Sequence, residues 1–490
     1  MCRLFKLSYA AVSGHIPMVA ANEPASSPVA DTGLHQSVAD RIVAGKVLRQ
    51  RVKRSDLGEY RPLANRPDPI DLLQAQATTR LQALVPLRYG RMLASPFAFL
   101  RGSAAVMMVD IAPAPTTGIE VQACGDMHVS NFGVFASAER NLVFSINDFD
   151  ETYPGPWEWD LKRLAASIVV AGRYLGGDRP LCQNSVRAAI ESYRQHLAIY
   201  ADLPYLELWY DNITDAELLE KLPDSAEKYA QRVLDKARDR NHLQVLDEMT
   251  NLVDARHHII ESPPLVVRAE TLSDGPTVVS DMETLLQDYL QSLSGDRRFL
   301  LSRYRLLDVA RKVVGVGSVG TRCWVLYLEG KDASDPLFLQ VKEAQPSALA
   351  SYSSARCDHR LPDDHQGRRV VIGQKLIQGS PDIFLGWGSL NDTHYYIRQL
   401  RDMKGGFKLE PDKFQTSRLP DYCTLCGWAL ALAHAKSGDA AMLAGYIGKR
   451  DALADALVSF AEAYADQTER DYDRLVTAAK QGRIPVAYDD

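Results

Sequence analysis

Between residues 119 and 175 an apolar run ends in a polar loop twice over, and a long helix-forming segment follows. This succession restricts the fold more than any other part of the chain. IEVQAC (119–124) has the apolar character of a strand, and CGDMHVSNFG is a loop at its end. NLVFSI (141–146) predicts a second strand, and NDFDETYPGPWEW a loop rich in turn formers. DLKRLAASIVVAGRYL carries apolar residues at helical spacing, which predicts a buried helix. Two strand ends thus present Asp126, His128 and Asn131 on one loop and Asp148, Asp150 and Glu151 on the next.

The chain has 490 residues, 46% hydrophobic and 24% charged, an ordinary globular composition able to bury a large core. A net charge of -6 does not build the basic surface that nucleic-acid binding needs. Seven irregularly spaced cysteines argue against a disulfide framework and for a reducing compartment. Cys423 and Cys426 share a helix face and read as small core residues. The N-terminal apolar run is broken by Ser13, His15 and Pro17, a poor export signal. A cytoplasmic location and no membrane partner are therefore expected.

Elsewhere, residues 1–40 predict a flexible tail, with a basic helical segment around VAGKVLRQRVKR at its end. Residues 70–110 and 180–300 look mainly helical, with breaks near Pro204, Pro223 and the prolines at 263 and 264. Near residue 308 the character changes. DVARKVVGVGSVGTRCWVLYLEG reads as strand, glycine turn, strand. PLFLQVKEA adds a strand, PSALASYSSAR a short helix, and RRVVIGQKLIQG and HYYIRQLRDMKGG two more strands. Gln374 and Arg398, on the last two, read as surface residues. From about 417 to 480 the chain is helical again.

The spacing D-x-x-x-x-N of Asp126 and Asn131 is that of a phosphoryl-transfer loop, where the aspartate receives a proton and the asparagine holds magnesium. Asp148, at a strand end, is the first choice for a second magnesium ligand, with Asp150 a competitor; hard oxygens suit that ion. Gly315, Gly317 and Gly320 form G-x-G-x-x-G. A strand follows it, so a glycine-rich hairpin over phosphates, including Ser318, fits better than a dinucleotide-binding turn. Lys342 lies on the next strand, suited to phosphate. Its usual glutamate partner is not evident: Glu343 is adjacent and should face the other way. Arg101 in FLRG is a further phosphate candidate, and His128 reads as structural.

The runs FLRG, CGDMHVSNFG, NDFDETYPGPWEWDLKRLAAS, VGVGSVGTR, VKEA and LAHAKSGD resemble the bacterial family called domain of unknown function 2252, over about residues 45–480. GDMHVSN, INDFDE and WEWDL are more distantly similar to the aminoglycoside-phosphotransferase branch of the kinase fold. That likeness implies Asp126 as catalytic base, Asn131 and Asp148 as magnesium ligands, and Asp160 as the helix-start aspartate bracing the loop. Cys124 stands where that branch has histidine.

In ordinary kinases the glycine loop and lysine come first; here they come last, which implies circular permutation. The expected architecture is α+β and two-lobed. A helical large lobe (41–305) would hold the catalytic loops, a small antiparallel β lobe (306–406) the glycine hairpin and lysine, and C-terminal helices (407–490) would pack on the large lobe. The implied function is an ATP- and magnesium-dependent phosphotransferase, or AMP transfer with a reversed nucleotide, acting on an unidentified small-molecule or protein acceptor. The alternatives are a catalytically inactive nucleotide-binding scaffold and a metal-dependent phosphoesterase using the D-x-H of Asp126 and His128.

Overall fold

The computed structural model describes residues 36–489 apart from 223, 241, 255, 354–363 and 401–402. Residues 38–490 form one compact unit; of the preceding unit only residues 36 and 37 are described, so nearly all of the expected tail lies outside the described residues. The fold is α+β, with antiparallel sheets set among helices. Among the described residues no helix is long and apolar enough to cross a membrane.

The largest sheet has six strands in the order Gly386–Leu390, Thr393–Gln399, Pro336–Glu343, Cys323–Glu329, Arg305–Lys312, Val266–Arg268, all pairs antiparallel. Alternation divides its residues between two environments. Trp324, Leu326, Leu339, Val341 and Ile397 pack with Met282, Leu285 and Tyr289 of the helix Gly275–Ser292. On the opposite face Val325, Tyr327 and Phe338 meet Val245 and Met249. On that second face Cys323, Lys342 and Tyr396 lie in register, as do Gln340 and Arg398.

The main core gathers the helices Trp157–Tyr174, Arg179–Tyr200, Leu419–Ser437 and Ala452–Lys480. Cys423 and Cys426 are fully buried there as free thiols, as their helix spacing suggests. Short helices at Pro69–Ala77, Val85–Met92 and Pro96–Gly102 pack against the far end of Ala452–Lys480 through Leu73, Tyr89, Phe99 and Leu475.

Several expectations fail. RRVVIGQKLIQG is the helix Gln366–Gln378, not a strand. Its β-branched run imitates a strand, but Val370, Val371, Gln374 and Ile377 fall on one helical face and are buried. A Cβ on Gly373 would lie 2.5 Å from Thr152, so the helix seats where only glycine fits. Gln374 is accordingly a buried helical residue. Residues 346–353 form turns rather than a helix, and 354–356 lie outside the described residues. The region expected to be helical contains the strands Thr250–Val253, Arg256–Ile259 and Val266–Arg268. The turn-rich YPGP forms the strand Tyr153–Pro156, paired with Glu120–Ala123.

Candidate active site

The strand Glu120–Ala123 delivers the chain into the first polar loop. Gly125 has φ +82°, and a Cβ there would lie 2.4 Å from the Glu151 carbonyl oxygen, so glycine lets the two acidic loops touch. The Cys124 and Gly125 amides donate to the Asp160 carboxylate at 2.6 and 2.9 Å. Asp160 sits in the first turn of Trp157–Tyr174, with His434 Nε2 3.4 Å away. Tyr193 Oη is in turn 2.7 Å from His434 Nδ1. Asp160→Ala would leave two buried amides unpaired, so urea unfolding should show a loss of about 3 kcal/mol.

Asp126 is gripped from the same helix. Arg163, one turn beyond Asp160, donates Nε to Asp126 Oδ1 at 2.6 Å. Burial nevertheless outweighs Arg163 and pushes the Asp126 carboxyl up to about 6. The Asp126 carbonyl accepts from Asn131 Nδ2 at 2.6 Å and from the His128 amide at 2.8 Å. His128 Nε2 lies 3.9 Å from Asp126 Oδ2. Burial, then the Arg101 and Arg163 charges, hold its imidazole well below the ordinary range.

Asn131 opens a hairpin of Phe132–Ala136 and Leu142–Ile146, whose register sets Phe132 opposite Ile146. The Asn147 amide closes back on the Asn131 carbonyl at 2.8 Å. The hairpin therefore returns Asp148 to the side of Asn131. Asp148 has no ion pair among the described residues; its carboxylate accepts only from the Asp150 amide, at 3.4 Å.

Asp150 forms the buried ion pair that the sequence left open. Lys342 Nζ bonds its carboxylate, as do Tyr396 Oη at 2.6 Å and Ser318 Oγ at 3.0 Å. Burial raises this carboxyl, but Lys342 and Tyr396 together hold it at about 2. Lys342 is likewise kept above its usual range because Asp150 outweighs its burial. Glu343, on the neighbouring strand position, binds the amide and guanidinium of Arg322 instead. Arg369, from the helix Gln366–Gln378, donates to the carbonyls of Asp150 at 2.9 Å, Gln345 at 2.8 Å and Thr152 at 2.5 Å.

The glycine loop joins two antiparallel strands, Arg305–Lys312 and Cys323–Glu329, as expected for a hairpin. Gly315 and Gly320 have φ +64° and +90°. The loop carbonyls are occupied from outside: Gly315 by Arg91 at 2.6 Å, Val319 by Arg80 at 2.5 Å, and Gly320 by the Leu81 amide at 2.8 Å. The amides of Gly315, Val316, Gly317 and Ser318 donate to no carbonyl among the described residues. Such a run of free amides is suited to an anion.

All of this converges on one cleft of about 890 Å³, part of it open to solvent. Asp126, His128, Asn131, Asp148 and Asp150 line one side, and Gly315, Gly317 and Ser318 the other. Arg101 also lines it, Lys342 reaches it through Asp150, Asp160 stands behind the loop, and Gly320 packs at the loop's far end against Arg80. Arg80 and Arg88, which sequence reasoning passed over, line it too. Nothing local in the sequence distinguishes them from the chain's other arginines. Arg163 had a faint signal, its position three residues after Asp160 on a helix. Arg398 is no surface residue: its Nε donates to Gln340 Oε1 at 3.0 Å on the sheet face that carries Lys342. It borders a neighbouring pocket with Gln374, Gln378 and Lys404, where burial pushes the lysine down to about 7.

The family described as "Uncharacterized protein conserved in bacteria (DUF2252)" matches residues 80–478. The chain belongs to this family. The DUF2252 span includes every cleft residue named above, and it begins at Arg80 itself. No curated protein and no solved structure matches the chain. Among the described residues of this DUF2252 chain, no group of three or more His, Cys, Asp and Glu is arranged to hold a metal. One carboxylate and one amide oxygen do line the cleft together, however: Asp148 makes no ion pair among the described residues, and Asn131 uses its amide nitrogen on Asp126, leaving the oxygen available. That donor set suits magnesium, which takes few protein ligands and completes its shell with water and phosphate.

Proposed function

We propose that this protein is an ATP- and magnesium-dependent phosphotransferase with a two-lobed, circularly permuted kinase-like arrangement. One observation carries the reading. Asp126 and Asn131 precede a hairpin that returns Asp148, and the glycine loop and Lys342, 192 positions beyond Asp150, meet them in a single cleft. The helix Leu419–Ser437 supports the permutation. Its Ser437 Oγ accepts from the Gln122 amide at 3.1 Å, and its Tyr422 donates to the Val129 carbonyl at 2.8 Å. A C-terminal helix thus ends beside the strand that enters the catalytic loop.

In this reading the free amides of Gly315–Ser318 and the Lys342 ammonium bind the nucleotide phosphates. Asp150 orients the lysine, because the helix Gln366–Gln378 contains no acid to do so. Asp148 and Asn131 would hold the magnesium ion, which supplies positive charge to the transferring phosphoryl group. An acceptor hydroxyl gives its proton to Asp126 as its oxygen bonds the γ-phosphorus and the bond to the departing ADP oxygen breaks. With a carboxyl near 6, Asp126 is ionised and still basic at neutral pH. AMP transfer would use the same groups with the α-phosphorus facing Asp126. The buried free cysteines favour a cytoplasmic setting.

The acid-free helix also favours a second reading, a nucleotide-binding protein without turnover. Calorimetric titration with ATP, with and without magnesium, tests both. Wild-type protein should bind ATP in a magnesium-dependent manner, and Asp148→Ala should lose that binding. A folded protein that binds ATP under neither condition refutes a nucleotide site of any kind.

A further inference from the structure

The cleft holds more positive charge than the nucleotide site accounts for. Three of its carboxylates have cations of their own: Asp126 has Arg163, Asp150 has Lys342, and Glu343 has Arg322. Glu151, held by the Ala348 amide at 2.7 Å, is the one remaining carboxylate on the side of Arg80 and Arg88. Asp148 is set aside for the metal. Arg80, Arg88 and Arg101 remain, and none of them is ion-paired among the described residues. Arg88, almost wholly buried, is met only by neutral oxygens: Gly102 O at 3.0 Å, Gln76 Oε1 at 3.1 Å and Leu73 O at 3.5 Å. Arg80 donates to the Val319 carbonyl. Arg101 makes no hydrogen bond among the described residues and rests over the Phe97 ring at 5.9 Å. The Nε atom of each is buried and has no hydrogen-bond partner among the described residues. Three desolvated guanidinium groups facing one cavity are costly unless an anion occupies it.

The three divide by position. Arg80 holds the glycine loop, whereas Arg101 rests on the Phe97 ring, which meets His128 edge-on at 6.4 Å, and its neighbour Leu100 accepts through its carbonyl from the same Arg163 that grips Asp126. Arg101 therefore stands on the side where the acceptor must present its hydroxyl. The nucleotide phosphates already have the loop amides, Lys342 and the metal. We infer that the acceptor is itself an anion, a small molecule whose phosphate or carboxylate group seats against Arg101 in the part of the cleft lined by Arg80 and Arg88. Guanidinium matches the planar fork of either oxyanion. This inference rests on the phosphotransferase reading and names the acceptor class that reading leaves open. A cationic acceptor such as an amino sugar is disfavoured, because it would face Arg101 unscreened.

The test uses the full chain saturated with magnesium and a non-hydrolysable ATP analogue. Inorganic phosphate, phenyl phosphate and benzoate are titrated in by calorimetry, with wild type, Arg101→Met and Arg101→Gln. At least one oxyanion should bind alongside the nucleotide, and both variants should weaken it about tenfold or more without changing nucleotide affinity. Phosphate ahead of benzoate identifies a phosphorylated acceptor; the reverse identifies a carboxylate. Both variants should also melt at or above the wild-type temperature in the absence of anion, since they remove a buried unpaired charge. A merely structural arginine would lower the melting temperature, which overturns the inference. So does competition between the oxyanions and the nucleotide, which would assign the arginines to the nucleotide phosphates. Absence of oxyanion binding overturns it as well. If the analogue fails to bind but phosphate binds the free protein through Arg101, the phosphotransferase reading falls and takes the acceptor role with it, leaving an anion site of another kind.

Discussion

Lys342→Met should cost about 3 kcal/mol or more in stability and abolish magnesium-dependent nucleotide binding, while Lys342→Met combined with Asp150→Asn should recover much of the stability and none of the binding. The pair is buried on the lysine side, with Lys342 4% and Asp150 28% exposed at the side chain. Removing one member of such a pair strands a desolvated charge, a loss of roughly 3–5 kcal/mol. Tyr396 and Ser318 would still bond Asp150 but bring no positive charge. Neutralising Asp150 as well removes the stranded charge. Denaturant unfolding reads the first effect and calorimetry the second. A double variant that regains nucleotide binding would show that Lys342 serves only the fold.

The second large effect is expected at Asp126. Asp126→Asn keeps an acceptor for Arg163 and the shape of the loop, so the nucleotide should bind as before. Turnover should fall by a factor of roughly 10² to 10⁴, the usual contribution of a positioned base. A fall in turnover matched by an equal fall in nucleotide affinity would assign Asp126 to binding. The wild-type rate should rise with pH through an apparent value near 6 and level off above it, because the base acts ionised and burial has lifted its carboxyl to about 6. Stability carries the opposite sign. The folded carboxyl holds its proton to higher pH than an unfolded aspartate, so this group's contribution falls as pH rises from about 4 to about 6. Asp126→Asn should remove that slope, which unfolding curves across the window will show.

Arg369 makes the six-stranded sheet and the acidic loop mechanically dependent on one another. Its three bonds to carbonyls on either side span the helix Gln366–Gln378, the loop after Asp148 and the segment after Lys342. Any shift of that helix would therefore displace Asp150 and, through it, Lys342. In the kinase arrangement a helix acid performs this coupling directly; in this chain the lysine's carboxylate lies on the loop, and the helix acts through an arginine.

What the sequence determined by itself was local. The strands ending at Ala123 and Ile146, the long buried helix after them and the glycine turn between two strands follow from periodicity and turn chemistry within a few residues. The grouping of Asp126, Asn131 and Asp148 was legible for the same reason, since a short loop and one hairpin set it. Tertiary packing decided the rest. Residues 366–378 carry a β-branched run whose local preference favours a strand, yet Val370, Val371, Gln374 and Ile377 are buried as a helical face against other elements. Asp150 was one of two neighbouring acids until Lys342 arrived from 192 positions away and chose it. Arg101 could be read from FLRG as a phosphate candidate, but Arg80 and Arg88 look in sequence like any other arginines. Only the packing of the helices of Arg88 and Arg101 against Ala452–Lys480, and of Arg80 against the glycine loop, sets all three around one cleft, desolvated and without ion pairs among the described residues. Charge pairing and burial depend on distance in space, and a single sequence encodes distance only along the chain.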